Sequence, residues 1–447
     1  MPSGLRRPGR LASRPGPGGL WLEGQLTPEG SLLNLLAEPP APSPWVGAMT
    51  EIADRYRSEW VAIRRYLHQH PELSGGERKT TEYLADALTA MRLPPNLAFD
   101  GTGVTADFVS SAEMSEHKRI AVRGDIDALP IQDQKAVDYR SQRPGVMHAC
   151  GHDVHATIVL AALQLLTTMH REGNLPWPIA VRGIFQPAEE TASGARHMIQ
   201  HHALRDVAAI LALHVDPTRA VGRIGLRAGI VTAACDMLHV RFTGRGGHGA
   251  RPHLARDPID ACTRWVQTAY ARLSRVIDPH QTVVMSVGHI LAGHSPNVIP
   301  ETAELKGTLR SLDDRSRQVA LETLRAIGKA IADESGCDVD LRLGVSAPAV
   351  VNDGRLIRIL SDAAVMMVDP AAPEPIDYPS MGSEDFSYYL EHVPGAMMRL
   401  GVAGPQVGHH PLHTPLFDID ERAIAVGAKV FAAAVLQHFN PAADHAA

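Results

Sequence analysis

The sequence predicts an α/β fold in which a main domain with a mostly parallel sheet is interrupted by an inserted ferredoxin-like α+β domain. Three observations predict it. Short apolar runs at 120–122, 179–185, 209–213 and 396–400 alternate with helical stretches around 152–170 and 192–202, the pattern of strands joined by crossover helices. Between 232 and 346 the order changes to strand 234–243, helix 257–276, strands 282–291 and 302–311, helix 314–335 and strand 338–346. That β-α-β-β-α-β order is the split ferredoxin-like unit. At 447 residues the chain is also too long for one ordinary core.

The elements follow in chain order. Residues 1–48 hold nine of the 33 prolines and a run Arg14-Pro15-Gly16-Pro17-Gly18-Gly19, which buries little apolar surface and predicts a disordered extension. Within it, Leu32, Leu33, Leu35 and Leu36 suit one short helical turn, and Met49 just beyond is a candidate start of translation. From Thr50, Ile52, Tyr56, Ile63 and Leu67 share one helical face that stops before Pro71. The main domain is expected over 49–231 and 347–440, the inserted domain over 232–346, and a short tail over 441–447. Helices near 353–368 and 420–438 complete the second part of the main domain.

Composition excludes several classes of function. Lys+Arg 43 against Asp+Glu 49 leaves a formal charge of −6, so there is no basic footprint for nucleic acid. The inserted unit also lacks the aromatic-rich strand motif that stacks bases. No run approaches the roughly 20 apolar residues that span a bilayer, and no apolar core with a cleavage site marks a signal peptide. The four cysteines, Cys150, Cys235, Cys262 and Cys337, form no C-x-x-C pair and suit a reduced compartment. A cytoplasmic protein without membrane or nucleic-acid partners is expected. Histidine is abundant at 23 residues, which points toward metal chemistry.

Four segments carry that chemistry. In Met147-His148-Ala149-Cys150-Gly151-His152-Asp153-Val154-His155, a thiolate and an imidazole two apart across a glycine can face one cation. The run 183–190 ends an apolar strand on Glu189 and Glu190. Two adjacent carboxylates there can divide the work, one ligating and one facing water, because functional groups collect beyond the carboxyl ends of parallel strands. His214 follows the apolar run 209–213 at the same sheet edge. A proline-braced loop offers His409, His410 and His413, and spacing does not choose among them. A cysteine hydrolase built on Cys150 and His152 is a poorer reading. Residues two apart in one loop rarely pair as nucleophile and base, and that mechanism leaves Glu190, His214 and His413 idle.

Together these segments resemble the M20 metallopeptidase family, and most closely its amidohydrolase branch of hippurate hydrolases, N-acyl-amino-acid deacylases and auxin-conjugate hydrolases. The resemblance covers about residues 50–438. It rests on L-H-x-H-P-E-L-S at 67–74, R-G-D-I-D-A-L-P at 123–130, M-H-A-C-G-H-D at 147–153 and F-Q-P-A-E-E at 185–190. It continues with G-G-H-G-A-R-P-H at 246–253, N-V-I-P at 297–300, G-T-L-R-S at 307–311, G-S-E-D-F at 382–386 and L-H-T-P at 412–415.

The resemblance implies a catalytic domain of the zinc-peptidase type and an inserted lid and dimerisation domain, hence a homodimer or higher homo-oligomer. It implies two divalent metal ions (Mn, Zn, Ni or Co) held by Cys150, His152, Glu190, His214 and His413, with Glu189 as general base. His248 stabilises the oxyanion, reaching toward a partner's site, while Asn297 and Arg310 hold the substrate carboxylate. The implied reaction cleaves hippurate-like N-acyl-amino acids to an amino acid and a carboxylic acid. A dipeptidase or carboxypeptidase on the same scaffold is the alternative. Two departures stand out. Asp125-Ile126-Asp127 replaces the His-x-Asp of many relatives, which makes Asp127 a support behind the ligands. Gly124 stands where the branch usually has alanine.

Overall fold

A computed structural model describes residues 43–98 and 100–442. The first helix spans Pro44–Gln69, with proline in its first turn, where no amide donor is needed. Its buried face runs Trp45, Met49, Ile52, Trp60, Ile63 and Leu67. Residues 44–48, expected in the disordered extension, are therefore helical, and Trp45 is packed into the core. Met49 lies inside the helix rather than at its start. The expected helical turn at Leu32–Leu36 falls outside the described residues.

Among the described residues the large sheet has eight strands. Its order is Pro95–Leu97, Val104–Val109, Ala180–Gln186, Arg119–Asp125, Val207–Ala220, Gly395–Ala403, Ile224–Leu226 and Pro373–Pro375. The centre is parallel: Arg119–Asp125 pairs in parallel with both neighbours, as Val207–Ala220 does with Gly395–Ala403. Antiparallel pairs occupy the flanks. Central strands are buried nearly throughout, as expected for strands covered on both faces.

One face packs against the helices Pro44–Gln69, His152–Arg171, Gly354–Met367 and Arg422–His438. The other carries a smaller apolar layer with Met198, Phe386 and Tyr389. The helix His152–Arg171 lies deepest, buried from His152 to Met169. It presses so close to the sheet that a Cβ at Gly124 would sit 2.8 Å from the His155 carbonyl carbon and oxygen. This explains the glycine at that position in physical terms.

Residues 234–347 form a second, four-stranded antiparallel sheet with its own apolar core around Trp265, Phe242 and Leu324. Its order is Val283–Ala292, Thr302–Ser311, Ala234–Thr243, Asp338–Ala347. Read from the other edge, that is the fourth, first, third and second strands of the segment, the ferredoxin-like arrangement. Asp257 and Asp313 cap its two helices, Pro258–Val276 and Asp314–Ser335, by accepting from first-turn amides. Gly336, at φ 69°, ends the second.

Besides the three-residue strands at the sheet's flanks, two longer elements were not legible. The helix Arg78–Ala90 buries Thr80 and Thr81 beside Leu84 and Leu88, which dilutes its apolar stripe. The strand Val104–Val109 carries Thr105 and Asp107 in only six residues. Among the described residues no helix is long and apolar enough to cross a membrane.

Gly124→Ala is expected to lower unfolding free energy by about 1–3 kcal/mol, because helix backbone must shift to admit the methyl group. Denaturant titration with unchanged slope measures this directly.

Candidate metal centre and active site

The site forms where the parallel strands end. Gly151 has φ 86°, and a Cβ there would lie 2.5 Å from a Val215 methyl, so only glycine lets Cys150 and His152 leave the turn side by side. On the next strand, Glu189 and Glu190 follow a turn in which Ala188 has φ 52°. The Ala188 amide donates to Glu77 Oε1 at 2.8 Å. Glu77 is buried, and burial raises its carboxyl pKa to about 7. Positive φ at a non-glycine residue costs about 1–3 kcal/mol and persists only where its surroundings enforce it. His413 is strained in the same way, at φ 60°, with its amide held by the Ala149 carbonyl at 2.8 Å.

Side chains far apart in sequence converge here. The Cys150 sulfur lies 3.3 Å from His214 Nε2 and 3.3 Å from His413 Nε2. His413 Nε2 is 3.4 Å from Glu190 Oε1, and His152 Nε2 is 3.9 Å from carboxylate oxygens of both Glu189 and Glu190. Hydrogen bonds on the far side of two rings fix which nitrogen faces inward. His152 Nδ1 donates to the Asp127 carboxylate at 2.9 Å, and His214 Nδ1 donates to the Val215 carbonyl at 2.8 Å. Both Nε2 atoms therefore present lone pairs.

The donor set fits divalent cations. His152 Nε2 and Glu190 Oε1 are buried with no hydrogen-bond partner, a costly arrangement unless a cation joins them. Thiolate, imidazole and carboxylate donors together suit transition metals. Burial pushes the Cys150 thiol up to about 12, so it ionises at neutral pH only beside positive charge. That argues against a free thiolate nucleophile.

Asp127 lies behind the His152 ring. Besides His152 it accepts from Ser74 Oγ at 2.7 Å and from the Glu190 amide at 3.0 Å. Burial opposes its ionisation, but the hydrogen bond and charge of His152 outweigh this and lower its pKa. Asp125, at the first position of the departed motif, bonds Arg123 at 2.7 Å and His155 at 2.6 Å, and its carboxylate lies 3.7 Å from His152 Nε2.

A buried group behind Glu189 went unassigned in the sequence. Arg123 Nη2 contacts Glu384 at 3.1 Å and Asp385 at 3.0 Å, and its Nε donates to Gln186. Oxygens of Glu189, Glu384 and Asp385 lie within 4.8 Å of one another. Burial, then the Glu384 and Asp385 charges, holds the Glu189 carboxyl well above the usual carboxylate range. The available signal was charge at the ends of apolar runs, in R-G-D-I-D and G-S-E-D-F.

Three expected residues lie in or beside the second sheet. His248 and Asn297 adjoin an exposed two-strand ribbon, Gly247–His248 against Val298–Ile299. Arg310 is half-buried and donates to the Met381 carbonyl at 3.0 Å. Among the described residues, none of the three is hydrogen-bonded or ion-paired to Cys150, His152, Glu189, Glu190, His214 or His413.

Asp127→Ala is expected to weaken metal affinity about 10- to 100-fold while the fold persists, since it frees the His152 ring to turn. Competition against a chelator of known affinity, with circular dichroism as the control for folding, gives the number.

Comparison with known proteins agrees with this geometry. The family model described as Peptidase family M20/M25/M40 matches residues 121–437. A Synechocystis sp. protein named a probable hydrolase is 39% identical over 382 residues, 85% of this chain and 95% of that protein. An N-acetyl-L-cysteine deacetylase of Bacillus subtilis is 36% identical over 368 residues, covering 81% and 84%. A crystal structure of a Bacillus subtilis dinuclear metal-binding peptidase of the M20 family superimposes with TM-score 0.73 at 31% identity, covering 86% of this chain and 99% of that one. The chain belongs to the M20/M25/M40 peptidase family and is a metal-dependent hydrolase of amide bonds.

Proposed function

We propose that the protein hydrolyses N-acyl-amino acids, hippurate-like compounds among them, to an amino acid and a carboxylic acid. The observation that carries this is the meeting of Cys150, His152, Glu190, His214 and His413 around one space with Glu189 at its edge. The name of the deacetylase relative supports the substrate class.

In this reading the five residues would hold two divalent cations, which the description of the structural relative as a dinuclear metal-binding peptidase supports. Bound there, the cations supply Lewis acidity that polarises an amide carbonyl and acidifies water. Glu189 takes the proton of the attacking water and passes it to the leaving nitrogen. Its buried, carboxylate-rich setting suits a base that must be protonated midway through the cycle. Arg123 keeps Glu384 and Asp385 fixed behind it. Asp127 and the Val215 carbonyl keep both imidazoles in register.

Arg310 is assigned to the α-carboxylate, with Asn297 beside it, through the two-pronged geometry of its guanidinium. His248 is assigned to the oxyanion. Its exposed ribbon, without a bond to the cluster of its own chain, favours a role across a subunit interface in a homodimer. The segment 232–346 then serves as lid and dimerisation domain.

Glu189→Gln is expected to retain bound metal and lose about three orders of magnitude or more in kcat on N-acetyl-amino acids. Wild-type turnover in that variant removes Glu189 from the mechanism. Cys150→Ala is expected to lower bound metal itself, read by elemental analysis of the purified protein. Parallel assays on hippurate, N-acetyl-amino acids and dipeptides test the substrate class, and faster cleavage of dipeptides overturns it.

A further inference from the structure

Beside the metal centre lies a cavity of about 670 Å³ that no role above uses. Its inner wall includes Val215 and Leu412, the residues next to His214 and His413, and it opens outward past Tyr378. One charged group in its wall stands out.

Arg399 sits in the strand Gly395–Ala403 as the register partner of His214 on the adjacent parallel strand. Aligned residues on neighbouring strands are about 4.8 Å apart and project to the same face. The burial pattern agrees: Ala396, Met398 and Leu400 enter the large core, whereas Met397 packs on the opposite face. Arg399 shares that second face and lines the cavity.

No carboxylate among the described residues lies within ion-pairing distance of the guanidinium. Among the described residues the Arg399 side chain makes no hydrogen bond and no ion pair, although the residue is half-buried. The other arginine of this cavity, Arg219, is neutralised by Asp216 at 3.1 Å and Glu374 at 2.6 Å. Asp377 is exposed at the rim and forms no ion pair with Arg399. On the next strand Gly225 provides room: a Cβ there would lie 3.1 Å from Arg399 Cβ and 2.7 Å from Arg219 Nε. An unpaired, partly desolvated guanidinium that its neighbours accommodate is suited to an anion from outside the chain.

We propose that Arg399 is a specificity residue that binds a second carboxylate of the substrate, beyond the α-carboxylate assigned to Arg310. The preferred substrates are then dianionic N-acyl-amino acids, with the extra charge on the acyl group or on the amino-acid side chain. This rests on the hydrolase reading above and names its substrate class.

The test compares kcat/KM of the metal-loaded enzyme for N-acetyl-L-alanine, N-succinyl-L-alanine and N-acetyl-L-glutamate. A charge-assisted pair of this kind predicts a preference of about tenfold or more for one dianionic substrate over N-acetyl-L-alanine. Preference for the succinyl compound places the charge on the acyl side, and preference for the glutamate compound places it on the side chain. Arg399→Gln brings that ratio close to one, mainly through KM, and Arg399→Lys restores part of it. A ratio near one in the wild type, or one that Arg399→Gln leaves unchanged, overturns the proposal.

Calorimetry on the same preparations provides a readout without turnover. Succinate is expected to bind about tenfold or more tightly than butyrate, which has one carboxylate fewer, and Arg399→Gln abolishes the difference. If no substrate is cleaved yet this difference holds, the assigned reaction fails and the anion site stands. Equal binding of the two acids, or a difference that survives in Arg399→Gln, sinks the anion site.

Discussion

The site depends on one arrangement: two imidazole Nε2 atoms facing a buried sulfur. Cys150 lies 3.3 Å from His214 Nε2 and from His413 Nε2, in surroundings that hold its thiol near 12. Such a sulfur can be neutral, or anionic beside a cation. The bond from His214 Nδ1 to the Val215 carbonyl turns the ring's lone pair toward the sulfur instead of a proton. His152 and His214 thus use their outer nitrogens on Asp127 and on a backbone carbonyl, and the inner His152 Nε2 is left buried without a hydrogen-bond partner, open to a cation. This is the logic of a metal site rather than of a thiol nucleophile.

Holding that geometry requires charge in the interior. Arg64, fully buried, bonds Asp153 at 2.8 Å and Asp418 at 3.0 Å. It thereby joins the first helix, the helix that begins at His152 and the chain just beyond His413. His68 adds bonds to Asp153 and Asp133, and Lys135 bonds the Phe417 carbonyl. Buried ion pairs contribute little net stability, because desolvation offsets their attraction. Their effect here is positional: loops from three parts of the chain are locked to the helix that carries His152. Arg123 does the same behind Glu189, satisfying Asp125, Glu384 and Asp385 at once. The strain at Ala188 and His413 is affordable because these networks define the surrounding backbone.

Much of this was legible in the sequence because the signals were local. The four central strands of the main sheet and the four of the inserted unit were marked by apolar runs, and the inserted unit's element order matched its topology. The His214 strand continues to Ala220, past the histidine, because its later residues pair beyond the end of the apolar run. That Cys150, His152, Glu190, His214 and His413 lie close together was foreshadowed by nine motifs in order, whereas spacing alone could not choose His413 over His409 and His410. Arg123, Glu384 and Asp385 were hidden for a different reason. A buried arginine and two acids 261 and 262 residues away have no periodicity, and only three-dimensional pairing shows that each satisfies the others. Arg399 was hidden too, since a strand arginine looks like an outward residue until the register beside His214 is known.

Register also explains how one sheet edge divides catalysis from recognition. His214 and Arg399 occupy equivalent positions on adjacent parallel strands, so both reach the same face, yet their partners differ. His214 is committed at Nδ1 to a backbone carbonyl and at Nε2 to the sulfur side of the site. The Arg399 side chain is bonded to nothing among the described residues. One strand spacing therefore separates a side chain fixed by the fold from one left available to a ligand. Because parallel strands keep that offset rigidly, a substrate anchored at Arg399 meets the ligand cluster at a set distance. Selectivity by length as well as by charge follows from the sheet itself.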